Sequence, residues 1–382
     1  MKKIAVITTT RADYGILVPL IKLIDEDHDL ALELIVSGGH LLSDQGNTIN
    51  EIYNDGFEIS HKINIFTTTS DTPYDISVSM ANAIYKFAEV FRDDRPDMAI
   101  ILGDRTEMLA IASAAMNERI PITHIGGGEI TEGAVDDCVR HALTKMSYLH
   151  FTGTEQYRNR IIQLGESPDR VFNVGNLSTD NILKVPLMDE HSIRKWLMIP
   201  DHKEYVVATF HPVTLEEGTA RKQVLELVAA MNETSKYFYV ITKANTDTGG
   251  MAVNKILEEY ASNHDNVCLH SSLGMIRYLS AIKYAKFVLG NSSSGISEAP
   301  VIGTPTVNIG DRQKGRIMAD SVISCEADKN SILDAIRQAE NMEHVPSKLF
   351  GNGDSAYKIL RTIKHFLFNN KIELKKGFYI II

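Results

Sequence analysis

The sequence predicts an α/β chain made of two successive doubly wound domains, each built on a parallel sheet. Three observations lead there. Short apolar runs of strand length alternate with stretches of helical periodicity, the mark of βαβ units. The alternation begins again after a polar connector near residue 181. The chain has 382 residues, too many for one ordinary core but suited to two domains of about 150–200 each. Residues 1–180 are expected to form the first domain, 181–354 the second, and 355–382 a last helix with a tail.

In the first half, KIAVITT, LALELIVSG, MAIILGD, IPITHIGGG, YLHFTGT and VFNVG read as strands. Between them, ILVPLIKLI, the GNTINEIYNDG region, ISVSMANAIYKFAEVF and EMLAIASAAM read as helices, as does the segment from Val135 to Met146. In that last helix Val135, Cys138, Ala142 and Met146 share a face, which is expected to be core. A connector with a short helix, VPLMDEHSIRKWLMIPDHK, leads to YVVATFHP, YFYVITKAN, NVCLHSS, KFVLGNSSS, PTVNIGD and SVISC as strands. QVLELVAAMN, GMIRYLSAIKYA and SILDAIRQAENM read as helices, and the closing one carries Ile359, Ile363 and Phe366 at helical spacing.

Composition narrows the function. A net charge of −10 argues against a broad nucleic-acid surface, so an anionic ligand must be met locally by a few placed cations and N–H groups. Cys138, Cys268 and Cys325 are scattered and odd in number, which fits a reducing cytoplasm better than a disulfide frame. No apolar stretch approaches the roughly 20 residues of a membrane span. The histidines lack HxxxH and HExxH spacing, so no metal is expected, and no GxxxxGK[ST] phosphate loop or GxSxG nucleophile elbow occurs.

Polar clusters follow the predicted strand ends, where parallel sheets bind ligands. After the first-half strands come Arg11, then Asp104 with Arg105, then His124 and the run Gly126–Gly127–Gly128–Glu129. After the second-half strands come His211, Asn245 with Asp247, the serines 292 to 294, and Arg312. Two such domains are expected to bind ligand in a crevice facing both sets of strand ends. Ser292 and Ser293 precede an apparent helix start, where free N–H groups and the positive dipole end hold phosphate; a plain serine N-cap is the competing reading. Glu298 either complements that dipole or accepts from ribose hydroxyls. Arg11, Arg105 and Arg312 either fork onto a diphosphate or pair with neighbours such as Asp104 and Asp311. His211 either serves the ligand or is satisfied inside the fold. Asp136 and Asp137 open a helix with Arg140 and His141 beyond them, an arrangement that also suits i,i+4 ion pairs. Glu129 in its glycine loop and Asp104 beside Arg105 complete the acid–base candidates.

Taken together, TRADYGIL, SGGHLLSDQGNT, LGDRTE, HIGGGE, DDCVRHALTKMS, FHPVT, GNSSSGISE and GTPTVNIGDRQKGR resemble, in order, the hydrolysing UDP-N-acetylglucosamine 2-epimerases of sialic and related nonulosonic acid synthesis. The resemblance implies a GT-B fold: two Rossmann-like domains, an interdomain active site, and a C-terminal helix crossing back to the first domain. It implies Asp104, Glu129, Asp136 and His211 as catalytic residues, and Arg11, Arg105, Asn245, Ser292, Ser293, Glu298 and Arg312 around the nucleotide sugar. The implied reaction is elimination of the diphosphate to a 2-acetamidoglycal followed by hydration, with no cofactor. Its expected form turns UDP-N-acetylglucosamine into N-acetylmannosamine and UDP. The alternatives are the same chemistry on a UDP- or GDP-linked 2,4-diacetamido-2,4,6-trideoxyglucose for legionaminic acid, a glycosyltransferase of the same fold, and a catalytically idle nucleotide-sugar sensor. A homodimer or homotetramer is expected by the same analogy. Several members of that family read HIEGGE where this chain has glycine at position 126, so that glutamate's role is either absent here, taken by Glu129, Asp104 or Asp136, or filled by water. Non-hydrolysing epimerases typically read HVEAGLRT there, so HIGGGEITEG favours hydrolysis.

Overall fold

The computed structural model describes residues 1–42, 48–67, 72–130, 135–212, 219–244, 250–369 and 372–381. The chain divides into two compact units, Met1–Asn181 with Gly351–Ile382, and Ile182–Phe350.

In the first unit the strands are β1 (Lys2–Thr8), β2 (Leu30–Ser37), β3 (His61–Ile63), β4 (Met98–Leu102), β5 (Ile122–Ile125), β6 (Leu149–Thr152) and β7 (Val171–Asn173). The helices between them are α1 (Arg11–Asp25), α2 (Ile49–Asn54), α3 (Pro73–Asp93), α4 (Thr106–Asn117), α5 (Val135–Met146) and α6 (Glu155–Gln163), and α7 (Leu177–Lys184) follows. The strands lie parallel in the order β3-β2-β1-β4-β5-β6-β7, so the order reverses between β1 and β4. Ile4, Ala5, Val6 and Ile7 are all fully buried because helices cover both faces of the sheet. Ile4 and Val6 meet α1, whereas Ala5 and Ile7 join Phe87, Phe91 and the alanines of α4.

The second unit holds α8 (Glu190–Trp196), β8 (Tyr205–Thr209), α9 (Ala220–Glu233), β9 (Phe238–Thr242), α10 (Gly250–Ser262), β10 (Val267–His270), α11 (Gly274–Tyr284) and β11 (Val288–Gly290). Two single turns, α12 (Ser294–Ser297) and α13 (Ala299–Ile302), precede β12 (Thr306–Ile309), β13 (Val322–Cys325) and α14 (Lys329–Glu340). This sheet is also parallel, in the order β10-β9-β8-β11-β12-β13, and reverses between β8 and β11. Doubly wound sheets bind ligands beyond the strand ends at such reversals.

The last helix, α15 (Ser355–Asn369), belongs to the first unit. Ile359, Ile363 and Phe366 are buried as their spacing predicts, against Leu17, Leu20 and Ile24 of α1. Asp180 secures its start by accepting from the N–H groups of Ser355 and Ala356 at 3.0 and 2.9 Å. Beyond it the tail packs on the same unit: the Tyr379 N–H donates to the Gly165 carbonyl at 2.9 Å, and Lys376 reaches the buried carboxylate of Glu166 at 2.9 Å.

Two expectations need correction. The buried face of α5 is Val139, Arg140, Leu143 and Thr144, while Val135 and Cys138 are exposed. The helix is turned by about one residue, 100° on a helical wheel, from the face expected. Its polar members find partners inside, as described below. The segment after the serine run is not one helix: α12 ends at Ser297, and Pro300, which lacks an N–H, sits in the first turn of α13.

Candidate active site

In the first unit the carboxyl ends of β1, β4 and β5 carry polar loops. The loop after β1 is fastened by Asp13, which is buried and accepts from the Thr8 hydroxyl at 2.5 Å, the Thr9 N–H at 2.9 Å and the Thr10 N–H at 3.0 Å. Thr10 and Asp13 cap α1 reciprocally. Buried His40 joins this knot through the Thr8 hydroxyl at 2.9 Å. A Cβ on Gly38, which has φ of +58°, would stand 2.7 Å from the Thr9 carbonyl oxygen, so glycine is required there. Arg11, the first residue of α1, is thereby presented to solvent, where its Nε lies 3.1 Å from Glu51.

Beyond β4 and β5 the organising group is Arg140, whose side chain is only 4% exposed. Its guanidinium pairs with the Asp104 carboxylate, donates to the Glu129 carbonyl at 3.2 Å, and reaches Asp137 at 3.4 Å. One planar fork therefore ties the loop after β4, the loop after β5 and the start of α5. His141 lies 3.4 Å from the other oxygen of Asp137. Arg105 reaches Glu107 at 3.3 Å, so Asp104 is left to Arg140. Asp136, on the first turn of α5, is exposed.

His124 is fully buried with its Nε2 at 2.7 Å from the Gly103 carbonyl, which fixes the proton on Nε2. Burial pushes its pKa down to about 3, so it is neutral and acts as a strut between strand ends. Thr144 of α5 contacts its other nitrogen at 3.3 Å. The glycine run allows this approach: a Cβ on Gly127 would meet Thr144 and His124 at 3.0 and 3.1 Å, and one on Gly128 would stand 2.4 Å from the Tyr157 carbonyl oxygen. At Gly126 the nearest atom to such a Cβ is 3.8 Å away, though φ of +84° strains any side chain there.

In the second unit the reversal point is held by Asn291, whose amide oxygen accepts from the His211 N–H at 2.7 Å and whose amide nitrogen donates to the His211 carbonyl at 2.8 Å. Arg312 and buried Gln313 both donate to the Asn291 carbonyl, at 3.1 and 2.9 Å. Asp311 pairs with Lys314 rather than with Arg312. Gly290 has φ of +130° and no room for a Cβ, which would stand 1.9 Å from the Thr209 carbonyl oxygen. Ser292 and Ser293 follow directly. Ser293 is exposed and makes no side-chain capping bond, and its hydroxyl has no partner among the described residues. Ser294 is engaged by Tyr278 and by Ser292 at 3.1 Å. Glu298 is half-buried; its carboxylate has no hydrogen bond or ion pair among the described residues, and burial raises its pKa. It makes no capping bond either.

The structure thus gathers Asp104, Asp137 and the backbone of Glu129 about Arg140, leaves Asp136 exposed on the first turn of α5, and gathers His211, Ser292, Ser293 and Arg312 about Asn291. Glu298 follows the serines along the chain. Asn245 lies outside the described residues. Sequence reasoning missed Asp13, His40, Asn291 and Gln313, and it read Arg140 only as a possible partner of the acids before it. The adjacency of Asn291 to the serines and of Asp13 to Arg11 is the signal that could have found two of them.

Comparison with known proteins gives the family and the fold class. The family model described as UDP-N-acetylglucosamine 2-epimerase matches residues 22–364. The chain belongs to that family. The GDP/UDP-N,N'-diacetylbacillosamine 2-epimerase (hydrolyzing) of Campylobacter jejuni is 40% identical to it, over 90% of this chain and 88% of the relative. The polysialic acid biosynthesis protein P7 of Escherichia coli is 36% identical, over 99% of this chain and 97% of the relative. The crystal structure of UDP-GlcNAc 2-epimerase from Neisseria meningitidis bound to UDP-GlcNAc superimposes with a TM-score of 0.77 at 19% identity, covering 95% of this chain and 99% of that one. At that identity the likeness speaks to fold, which is the GT-B class of two Rossmann-like parallel-sheet units.

Proposed function

We propose that this epimerase-family chain is a hydrolysing 2-epimerase of a nucleotide-linked 2-acetamido sugar, releasing the free manno-configured sugar and the nucleoside diphosphate. One observation carries the reading: buried Arg140 holds the Asp104 carboxylate and the backbone carbonyl of Glu129 from one fork, tying two acid-bearing loops together at neighbouring strand ends. Exchanging a weakly acidic proton on carbon 2 needs such groups beside a departing anion.

In the proposed course the bond from carbon 1 to the diphosphate oxygen breaks while a carboxylate takes the proton from carbon 2, leaving a 2-acetamidoglycal. Water then adds its oxygen to carbon 1, and carbon 2 receives a proton on the opposite face. The sum is substrate plus water giving sugar plus nucleoside diphosphate. Asp104, Glu129 and Asp136 share the proton transfers; His211 assists near the leaving group. Ser292, Ser293 and Arg312 hold the diphosphate, with Arg11 and Arg105 as further cations and Asn245 lining the sugar–nucleotide site. Glu298, a carboxyl with no hydrogen bond or ion pair among the described residues, suits a pair of ribose hydroxyls.

A 2,4-diacetamido-2,4,6-trideoxyglucose linked to UDP or GDP is favoured as substrate by the 40% identity to the Campylobacter enzyme. UDP-N-acetylglucosamine, the first choice from sequence, keeps the support of the polysialic acid relative. A cytoplasmic location and a homo-oligomeric state complete the proposal; the three free cysteines support the former, and no helix among the described residues is long and apolar enough to cross a membrane. Incubating the protein with each nucleotide sugar and following free nucleoside diphosphate tests the reading. Turnover of one donor at least about tenfold above the other assigns the sugar, and release from neither would end the proposal.

A further inference from the structure

A second polar cluster lies at the opposite edge of the first sheet, near the amino ends of its strands. Glu33 of β2 stands beside Ala5 of β1 in the register, His61 opens β3, and Asp94 closes α3. Alternation along β2 puts Glu33 on the same face as Ile35, the face covered by α3 with Phe87 and Phe91. Glu33 is 2% exposed, and among the described residues neither carboxylate oxygen has a well-aligned hydrogen bond, His61 alone approaching to 3.3 Å as an ion-pair partner. Burying an uncompensated carboxylate is costly, and a domain ordinarily pairs or neutralises it. Burial, reinforced by the charge of Asp94, pushes its pKa up to about 7.

The surroundings show what compensates it. His61 Nε2 lies 3.3 Å from Glu33 Oε1 and 3.0 Å from Asp94 Oδ2, and one ligand atom from each residue falls within 4.8 Å of the others. Ligands about 2.0–2.1 Å from a tetrahedral zinc ion stand roughly 3.3 Å apart, close to the two distances from His61, whose hydrogen bond to Asp94 an ion would replace. The other oxygen of Asp94 is engaged by Lys3, which would orient that carboxylate as outer-shell partners orient metal ligands. We propose that Glu33, His61 and Asp94 form a structural site for a divalent transition ion of the zinc class, clipping β2, β3 and the end of α3 together. One imidazole with two carboxylates suits zinc, cobalt or manganese better than magnesium, which demands oxygen. The three ligands come from separate segments, so no sequence spacing announces them.

The test uses tag-free, chelator-treated, full-length protein titrated with zinc by calorimetry and with cobalt by visible absorption. The expected result is one equivalent bound, a raised melting temperature, and cobalt bands of a low-coordinate site. Glu33→Gln and His61→Asn should each weaken binding at least about tenfold. Absence of stoichiometric binding, or unchanged binding in both variants, overturns the site. Should Glu33→Gln fail to fold, His61→Asn at the half-buried edge strand decides alone.

Discussion

Replacing Arg140 by methionine separates a catalytic scaffold from mere helix packing. The substitution keeps most of the buried stem but deletes the guanidinium that serves Asp104, Asp137 and the Glu129 carbonyl. Breaking a fully buried ion pair costs about 3–5 kcal/mol. The Asp104 and Asp137 side chains are 29% and 26% exposed, so water recovers part of that cost, and a loss of about 2–3 kcal/mol in urea unfolding is expected. The functional effect should be larger. Without the fork the Glu129 loop and Asp104 are no longer fixed to each other, and a misplacement of about 1 Å costs roughly 100-fold in rate. Because Arg140 is assigned no contact with nucleotide, kcat should fall while KM stays within about threefold. Arg140→Lys keeps the charge but not the fork; it should regain part of the stability and little of the turnover. The assay is coupled detection of nucleoside diphosphate at a temperature where all three proteins are folded. Turnover of the methionine variant within about twofold of the parent would refute the reasoning.

Other outcomes follow from the same geometry. Ser293→Ala should leave stability within about 0.5 kcal/mol yet weaken UDP binding several-fold in calorimetry, since its hydroxyl serves no partner among the described residues. Gly290→Ala should unfold the second unit or destabilise it by more than about 3 kcal/mol, because the methyl group would overlap the Thr209 carbonyl. Glu166 loses by burial but gains more from the His150, Lys145 and Lys376 bonds, so its pKa is lowered to about 2 from 4.5. That stability is present above the unfolded value and is lost as pH falls through the folded one; Glu166→Gln should cost up to about 3 kcal/mol at pH 7 and converge with the parent near pH 2. Deleting residues from 375 onward removes Lys376 from the same carboxylate and should lower the melting temperature by several degrees, read by scanning calorimetry.

The strands and most helices were legible because apolar runs and helical spacing report burial directly, as at Ile4–Ile7 and at Ile359, Ile363 and Phe366. Strand β3 was missed because its three residues, His61, Lys62 and Ile63, include a single apolar side chain and so form no apolar run. The face of α5 was misjudged by one residue because its inner side includes Arg140 and Thr144, polar groups whose partners lie 36 and 20 positions earlier in the chain. Burial of a charge depends on such distant partners and leaves no local trace. The serine run was legible as a polar strand end, but its supports were not: Asn291, Gln313 and Tyr278 act through contacts that only the folded sheet creates. The same holds for Asp13, which looks like an ordinary first-turn acid yet fastens the whole loop after β1.

The most direct measurement runs the reaction in deuterated water enriched in heavy oxygen and reads both products by mass spectrometry. Elimination and hydration predict a free sugar carrying one deuterium at carbon 2, one heavy oxygen at carbon 1, and a nucleoside diphosphate free of label. Heavy oxygen in the diphosphate, or an epimer still attached to its nucleotide, would contradict the account.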